Sequence, residues 1–238
     1  MVSLNNAVVL VTGANGGLGR EFVAQALQRG AAKVYATART PQEWRDPRVV
    51  ALRLDVTDSE SIAAAAAEAA DTTVVVNNAG IYRLEDHLIS STTEEIRAMF
   101  ETNFFGPVEV VRRFAPVLAR NGGGAVLDVH SVLSWIGLAG SYSAAKAALW
   151  SATNSFRLEL AGQGTHVTGL HVGYIDTPMI AAVDAPKNDP ADVVKAALDG
   201  VEAEEYEVLA DELTVNVKAG LSARIEDLYS ELAATRAN

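Results

Sequence analysis

Two side chains four positions apart carry the first chemical signal in this 238-residue chain: Tyr142 and Lys146, in Ser141-Tyr142-Ser143-Ala144-Ala145-Lys146. At that spacing on a helix both side chains lie on one face. An ammonium near a phenol favours the phenolate and lowers the tyrosine pKa from about 10. A general acid–base working near neutral pH requires such a shift. A Tyr-x-x-x-Lys pair is common and usually structural, so its meaning depends on its surroundings.

The second signal is Thr12-Gly13-Ala14-Asn15-Gly16-Gly17-Leu18-Gly19, between an apolar run and a helix-like one. Glycines there permit a tight turn and let a pyrophosphate approach the backbone, while the helix N-terminus offers free N–H groups and partial positive charge. In the first βα unit of the chain this points to dinucleotide binding. The next apolar run, Lys33-Val34-Tyr35-Ala36-Thr37-Ala38, ends in Arg39. An acidic residue at that place would bond a ribose 2′-hydroxyl and repel a 2′-phosphate. A guanidinium can instead hold the phosphate with a forked pair of hydrogen bonds. NADP is therefore expected over NAD.

The elements that must position these groups alternate regularly. Short runs rich in Val, Leu and Ala at Ala7–Thr12, Lys33–Ala38, Val49–Leu54, Thr73–Asn77, Ala125–His130, His166–Val172 and Glu207–Ala210 read as buried parallel strands. Between them Gly17–Arg29, Ser59–Ala70, Thr92–Arg120 and Ser141–Ala161 read as helices, three of them stopping at glycine or at a glycine-rich stretch. The expected fold is α/β, a single doubly wound Rossmann-type domain over 1–238 with about seven parallel strands and helices on both faces. Asp184–Pro190, with two prolines, two aspartates and an asparagine, is loop-like and falls in an expected substrate loop of about 178–200. In an open α/β sheet that segment overhangs the carboxyl ends of the strands, where ligands bind.

Composition removes competing classes. There is no cysteine, which excludes disulfide scaffolds, thiolate metal sites and cysteine nucleophiles. The four histidines, His87, His130, His166 and His171, have no ligand spacing, so no metal is expected. A net charge of −11 argues against nucleic acid or an anionic membrane as partner. No apolar run is long enough to span a bilayer and none near the start reads as a signal core, so a complete, soluble, cytoplasmic protein is expected.

With these residues in hand, the chain resembles the short-chain dehydrogenase/reductase family, in its standard-length branch, from about Val8 to Pro178. The glycine pattern matches at Thr12, Gly13, Gly17 and Gly19. The adenine-binding Asp-Val pair matches Asp55-Val56, and Asn77-Asn78-Ala79-Gly80 follows the fourth strand. Asn103, Ser131, Tyr142 and Lys146 complete the motifs, in the family's order. The resemblance implies that Tyr142 exchanges a proton with a carbonyl oxygen and that Ser131 holds that oxygen. It implies that Lys146 lowers the Tyr142 pKa and bonds the nicotinamide ribose, and that Asn103 holds a water linking Lys146 to solvent. It implies cofactor contacts from Gly13, Asn15, Gly16, Gly17, Leu18, Gly19, Arg39, Asp55, Val56, Asn78, Ala79, Gly80, Tyr142, Lys146, Ile175 and Thr177. Substrate contacts would come from Ser131, Leu133, Trp135, Tyr142 and Tyr174.

Three places depart from the family pattern. Val172 replaces a proline beside the nicotinamide, Ser131 precedes Tyr142 by only eleven positions, and the paired Gly16-Gly17 also fits the extended branch. Too little chain follows Thr177 for that branch's substrate domain. Around the carbonyl the expected lining is Tyr82, Leu133, Trp135, Ile136, Tyr174, Met179 and Ile180, with Arg83 the one cation in the neighbourhood. This lining suits a neutral hydrophobic ketone, aldehyde or alcohol, since an unpaired buried anion costs several kcal/mol. The implied enzyme is an NADP-dependent carbonyl reductase or alcohol dehydrogenase, and a homo-oligomer, dimer or tetramer. A non-catalytic NADP sensor or scaffold, and an isomerase or dehydratase using the same residues, are the competing readings. Retention of Ser131, Tyr142, Lys146 and Asn103 weighs against the sensor.

Overall fold

The computed structural model describes residues 2–84 and 86–229; residues 230–238 of the expected domain lie outside the described residues. Seven strands form one sheet: β1 (Val8–Thr12), β2 (Lys33–Ala38), β3 (Val49–Arg53), β4 (Val74–Asn77), β5 (Gly124–Val129), β6 (Thr165–His171) and β7 (Glu207–Leu209). Every pairing is parallel and the order is β3-β2-β1-β4-β5-β6-β7. The direction of winding reverses between β1 and β4, which opens a crevice at the carboxyl ends of those strands.

Alternation along each strand feeds two separate cores. Val9 and Val11 of β1 face one side and pack with Phe22 and Val23 of α1 (Gly17–Gln28). Leu10, between them, packs on the other side with Val110 and Phe114. That second side is covered by α2 (Ser59–Glu68), by α4 (Gly106–Arg120) beyond the short α3 (Thr93–Phe100), and by α5 (Gly140–Leu160). The first side is closed by α6 (Pro190–Glu202), whose Val193, Val194, Ala197, Leu198 and Val201 are all buried. Helices thus cover both faces, and the inner strands carry near-continuous apolar runs because both their faces are packed, while the edge strand β3 leaves Ala51 and Arg53 exposed.

Local signals explain most helix limits. Asp58 caps α2 by accepting from the N–H groups of Glu60 and Ser61. Thr92 and Glu95 form a reciprocal capping box on α3. The expected long helix over Thr92–Arg120 is interrupted: residues Glu101–Phe105 make a π-turn with i→i+5 bonds between α3 and α4. The expected 178–200 loop is likewise divided into a 3₁₀ turn at Pro178–Ile180, irregular chain, and α6, which Asp189 caps and Pro190 starts. Two further helices, α7 (Glu212–Gly220) and α8 (Ile225–Leu228), follow β7.

Candidate active site

The glycine turn between β1 and α1 is held from below by Thr12. Its hydroxyl accepts the main-chain N–H groups of Asn78 and Ala79, both at 3.0 Å, while the Asn78 amide donates to Thr12 O at 2.8 Å. The β1 turn and the β4 turn are therefore tied into one floor. Gly19 is required by close approach, since a Cβ there would fall 2.2 Å from Gly13 O. Gly16 occupies the N-cap of α1 and offers no side chain, so no side chain competes for the first-turn N–H groups.

Above this floor lies a cavity of about 570 Å³. Of the expected cofactor contacts, Gly13, Asn15, Gly16, Gly17, Leu18, Arg39, Asp55, Val56, Asn78, Ala79, Gly80, Tyr142, Lys146, Ile175 and Thr177 all line it, and Asn103 and Ser131 do too. Gly19 does not, because it is packed beneath the turn. Asn15 Oδ1 is buried without a hydrogen-bond partner among the described residues, leaving an acceptor on the cavity wall. Asp55 is held below the usual carboxylate range, chiefly by the Thr57 N–H and with help from the nearby Arg39 and Arg53 charges. Ala38, Thr40, Val129 and His130 also line the cavity and were not expected there. They are strand-end residues, which register alone would have pointed to.

The reactive groups gather at one end of the cavity. Ser131 follows β5; its Oγ accepts from Leu133 N at 3.2 Å, and it lines the same small cavity as Tyr142. Lys146, one turn along α5 from Tyr142, is buried and donates to Val129 O at 2.7 Å; its Nζ lies 5.8 Å from the Tyr142 ring centre. Burial pulls the Lys146 ammonium down to about 8, against the pull of the Asp128 carboxylate. Burial also pushes the Tyr142 phenol up to about 12, with the Ser131 hydrogen bond opposing it. This corrects the expected direction: desolvation of the phenol outweighs its neighbours, and the Lys146 charge is directed to Val129 O. The Asn103 side chain sits in the π-turn with both ends committed to Ile81, accepting its N–H at 3.0 Å and donating to its C=O at 2.9 Å. That side chain anchors the chain after Gly80, and Asn103 shares the cavity wall with Lys146.

Next to Tyr142 a smaller cavity of about 70 Å³ is lined by Tyr82, Leu133, Tyr174 and Ile180 together with Ser131. Leu133 and Tyr174 thus stand where the sequence puts them. Trp135 does not. After the short 3₁₀ turn at Val132–Ser134 it lines neither cavity; its ring stacks on His171 at 4.0 Å and meets Trp150 edge-on at 6.3 Å. The Lys218 ammonium lies 5.0 Å over its ring. Ile136 lines neither cavity, and Arg83 is ion-paired with Glu95 at 2.6 Å. Val172 is buried on the cavity wall and its C=O accepts from Val132 N at 2.9 Å.

A family model for short chain dehydrogenases matches residues 7–188, and the chain belongs to that family of oxidoreductases. A short chain dehydrogenase from Burkholderia cenocepacia, solved in complex with NADP, is 36% identical, superposes with a TM-score of 0.91, and is covered over 97% of this chain and 99% of that one. A galactitol 2-dehydrogenase from Agrobacterium fabrum is 35% identical over 76% of this chain and 75% of its own length. A cis-4-hydroxycyclohexanecarboxylate dehydrogenase from Sinomonas cyclohexanicum is 34% identical over 75% and 77%. Among the described residues no helix is long and apolar enough to cross a membrane, and no cluster of His, Asp and Glu could hold a metal ion.

Proposed function

We propose that this protein is an NADP-dependent oxidoreductase that interconverts a hydrophobic ketone or aldehyde and its alcohol, with Tyr142 as general acid/base. The observation that carries this reading is the convergence of Ser131, Tyr142 and Lys146 at one end of a 570 Å³ cavity whose other walls are the glycine turn and Arg39. The residues present fit a dinucleotide: a side-chain-free helix start, the free Asn15 acceptor, and a guanidinium on the rim. Asn78, Ala79, Gly80, Ile175 and Thr177 would enclose the nicotinamide half, and Asp55 and Val56 the adenine half. When bound, the cofactor supplies or accepts the hydride.

The chain's own residues manage the proton. A phenol pushed up to about 12 is protonated at neutral pH, and that is the acid form a carbonyl reduction consumes. Ser131, on the same cavity wall as the phenol, can share the developing oxyanion as a neutral donor. Lys146, drawn down to about 8, sits where it can replenish the phenol and bond a ribose hydroxyl. The smaller cavity beside Tyr142 has no Lys, Arg, Asp or Glu in its described lining, which supports a preference for neutral substrates; Arg83 lines neither cavity and is paired with Glu95. The reading includes a homo-oligomer and a cytoplasmic setting; a non-catalytic NADP sensor is the alternative. NADPH oxidation with an aryl ketone and with a small 2-keto acid tests the proposal. A higher kcat/KM for the ketone is expected. NADPH binding without turnover of any carbonyl would favour the sensor, and a clear preference for the acid would overturn the assignment of the pocket.

A further inference from the structure

The loop after β4 is stapled at both ends. At one end Asn103 holds Ile81 by two hydrogen bonds. At the other, Asp86 is buried with only 4% exposure, and its Oδ2 accepts from Ser141 Oγ at 2.6 Å and from the main-chain N–H of Tyr142 at 2.8 Å. Its Oδ1 takes a weaker bond from Ser91 Oγ at 3.3 Å. Between the staples the loop presents Tyr82, whose ring stands edge-on to Tyr142 with centroids 5.0 Å apart and planes at 83°.

Tyr142 is the third residue of α5, where an N-cap side chain ordinarily supplies an acceptor. The N-cap here is Ala139, which has none to give. Asp86 supplies it from a different part of the chain, and its negative charge suits the N-terminus of a 21-residue helix. Gly140 permits the approach: its φ is +46°, and a Cβ there would fall 2.2 Å from Asp86 O. Ser and Thr caps next in sequence are the ordinary solution. Drawing the cap from the loop that also lines the substrate side makes the placement of Tyr142 depend on that loop.

We infer that Asp86 is a positioning residue for Tyr142, acting as a cap in trans that fixes the third residue of α5 and couples it to the Tyr82 loop. The inference rests on Tyr142 being the acid/base. Its test compares wild type, Asp86→Ala, Asp86→Asn, Tyr142→Phe and the double variant Asp86→Ala/Tyr142→Phe, with NADPH and acetophenone. Loss of a hydrogen bond to a charged group predicts that Asp86→Ala lowers kcat by about ten- to a hundredfold, with KM and NADPH affinity changed by no more than about threefold. Asp86→Asn recovers most of the loss, since its amide oxygen still accepts from Tyr142 N–H. The double variant is no slower than Tyr142→Phe alone, because both changes act through one phenol. Amide hydrogen exchange over 139–146 reads the clamp without turnover and speeds up in Asp86→Ala. Wild-type kcat in Asp86→Ala, a loss fully additive with Tyr142→Phe, or unchanged exchange overturns the inference. An inactive Tyr142→Phe beside a fully active Asp86→Ala sinks this inference alone, whereas a fully active Tyr142→Phe sinks the acid/base reading and this with it. Should Asp86→Ala fail to fold, Asp86→Glu displaces the acceptor while keeping the charge; unchanged kcat there overturns it equally.

Discussion

Arg39→Ala should abolish the proposed preference for NADPH and leave a protein that scarcely distinguishes the two cofactors. Arg39 directly follows β2 and lies exposed on the cavity rim with no ion-pair partner among the described residues, so its guanidinium is free for a phosphate. A charge-assisted hydrogen bond contributes about 1.5–3 kcal/mol. Exposure and salt screening place Arg39 in the lower half of that range, or about ten- to thirtyfold in affinity at 1.4 kcal/mol per decade. NADH, which lacks the phosphate, should weaken by no more than about twofold. Fluorescence titration of both cofactors at low salt measures this, and at higher salt the NADPH advantage should shrink. Ala38→Asp, at the last residue of β2 on the same wall, should act in the opposite sense by repelling the phosphate. Equal weakening of both cofactors in Arg39→Ala, or a wild type that prefers NADH, would refute the assignment of Arg39.

Lys146→Met should abolish turnover and stabilise the fold at neutral pH. A folded-state value of about 8 against 10.5 means that the charged ammonium destabilises the native state by roughly 3 kcal/mol. The folded pKa is depressed, so the penalty is fully present below about pH 8 and is relieved as pH rises toward 10.5. The gain from methionine should therefore be larger in denaturant melts at pH 7 than at pH 10; a loss of stability at pH 7 would count against it. Trp135→Leu should cost about 1–3 kcal/mol through its lost stack on His171 and leave the ketone KM unchanged, whereas Tyr174→Ala should raise that KM. A raised KM in Trp135→Leu would restore the ring to the substrate pocket.

The sheet is legible because its inner strands are buried on both faces and so carry apolar runs; β2 falls on Lys33–Ala38 as expected. Tyr142 and Lys146 were legible because one helical turn brings i and i+4 together. What escaped reading depended on backbone hydrogen bonding and burial, which residue type and spacing do not report. The π-turn at Glu101–Phe105 has no distinguishing composition and is seen only through its hydrogen bonds. Trp135 was misplaced because a single 3₁₀ turn decides which way residue 135 faces. The Tyr142 phenol was read in the wrong direction because spacing reports the lysine and says nothing of burial. The helix from Pro190 to Glu202 had a legible start in Asp189-Pro190, whose loop-like composition suggested irregular chain instead.

Tyr142→Phe tests the central claim most directly. Phenylalanine keeps the ring that packs edge-on against Tyr82 and removes the hydroxyl whose proton the proposed mechanism moves. Steady-state NADPH oxidation with an aryl ketone should fall by at least about a hundredfold, while NADPH binding, measured by titration on the same preparation, stays within about twofold of wild type. Turnover close to that of the wild type would contradict the account, since some other group would then be carrying the proton.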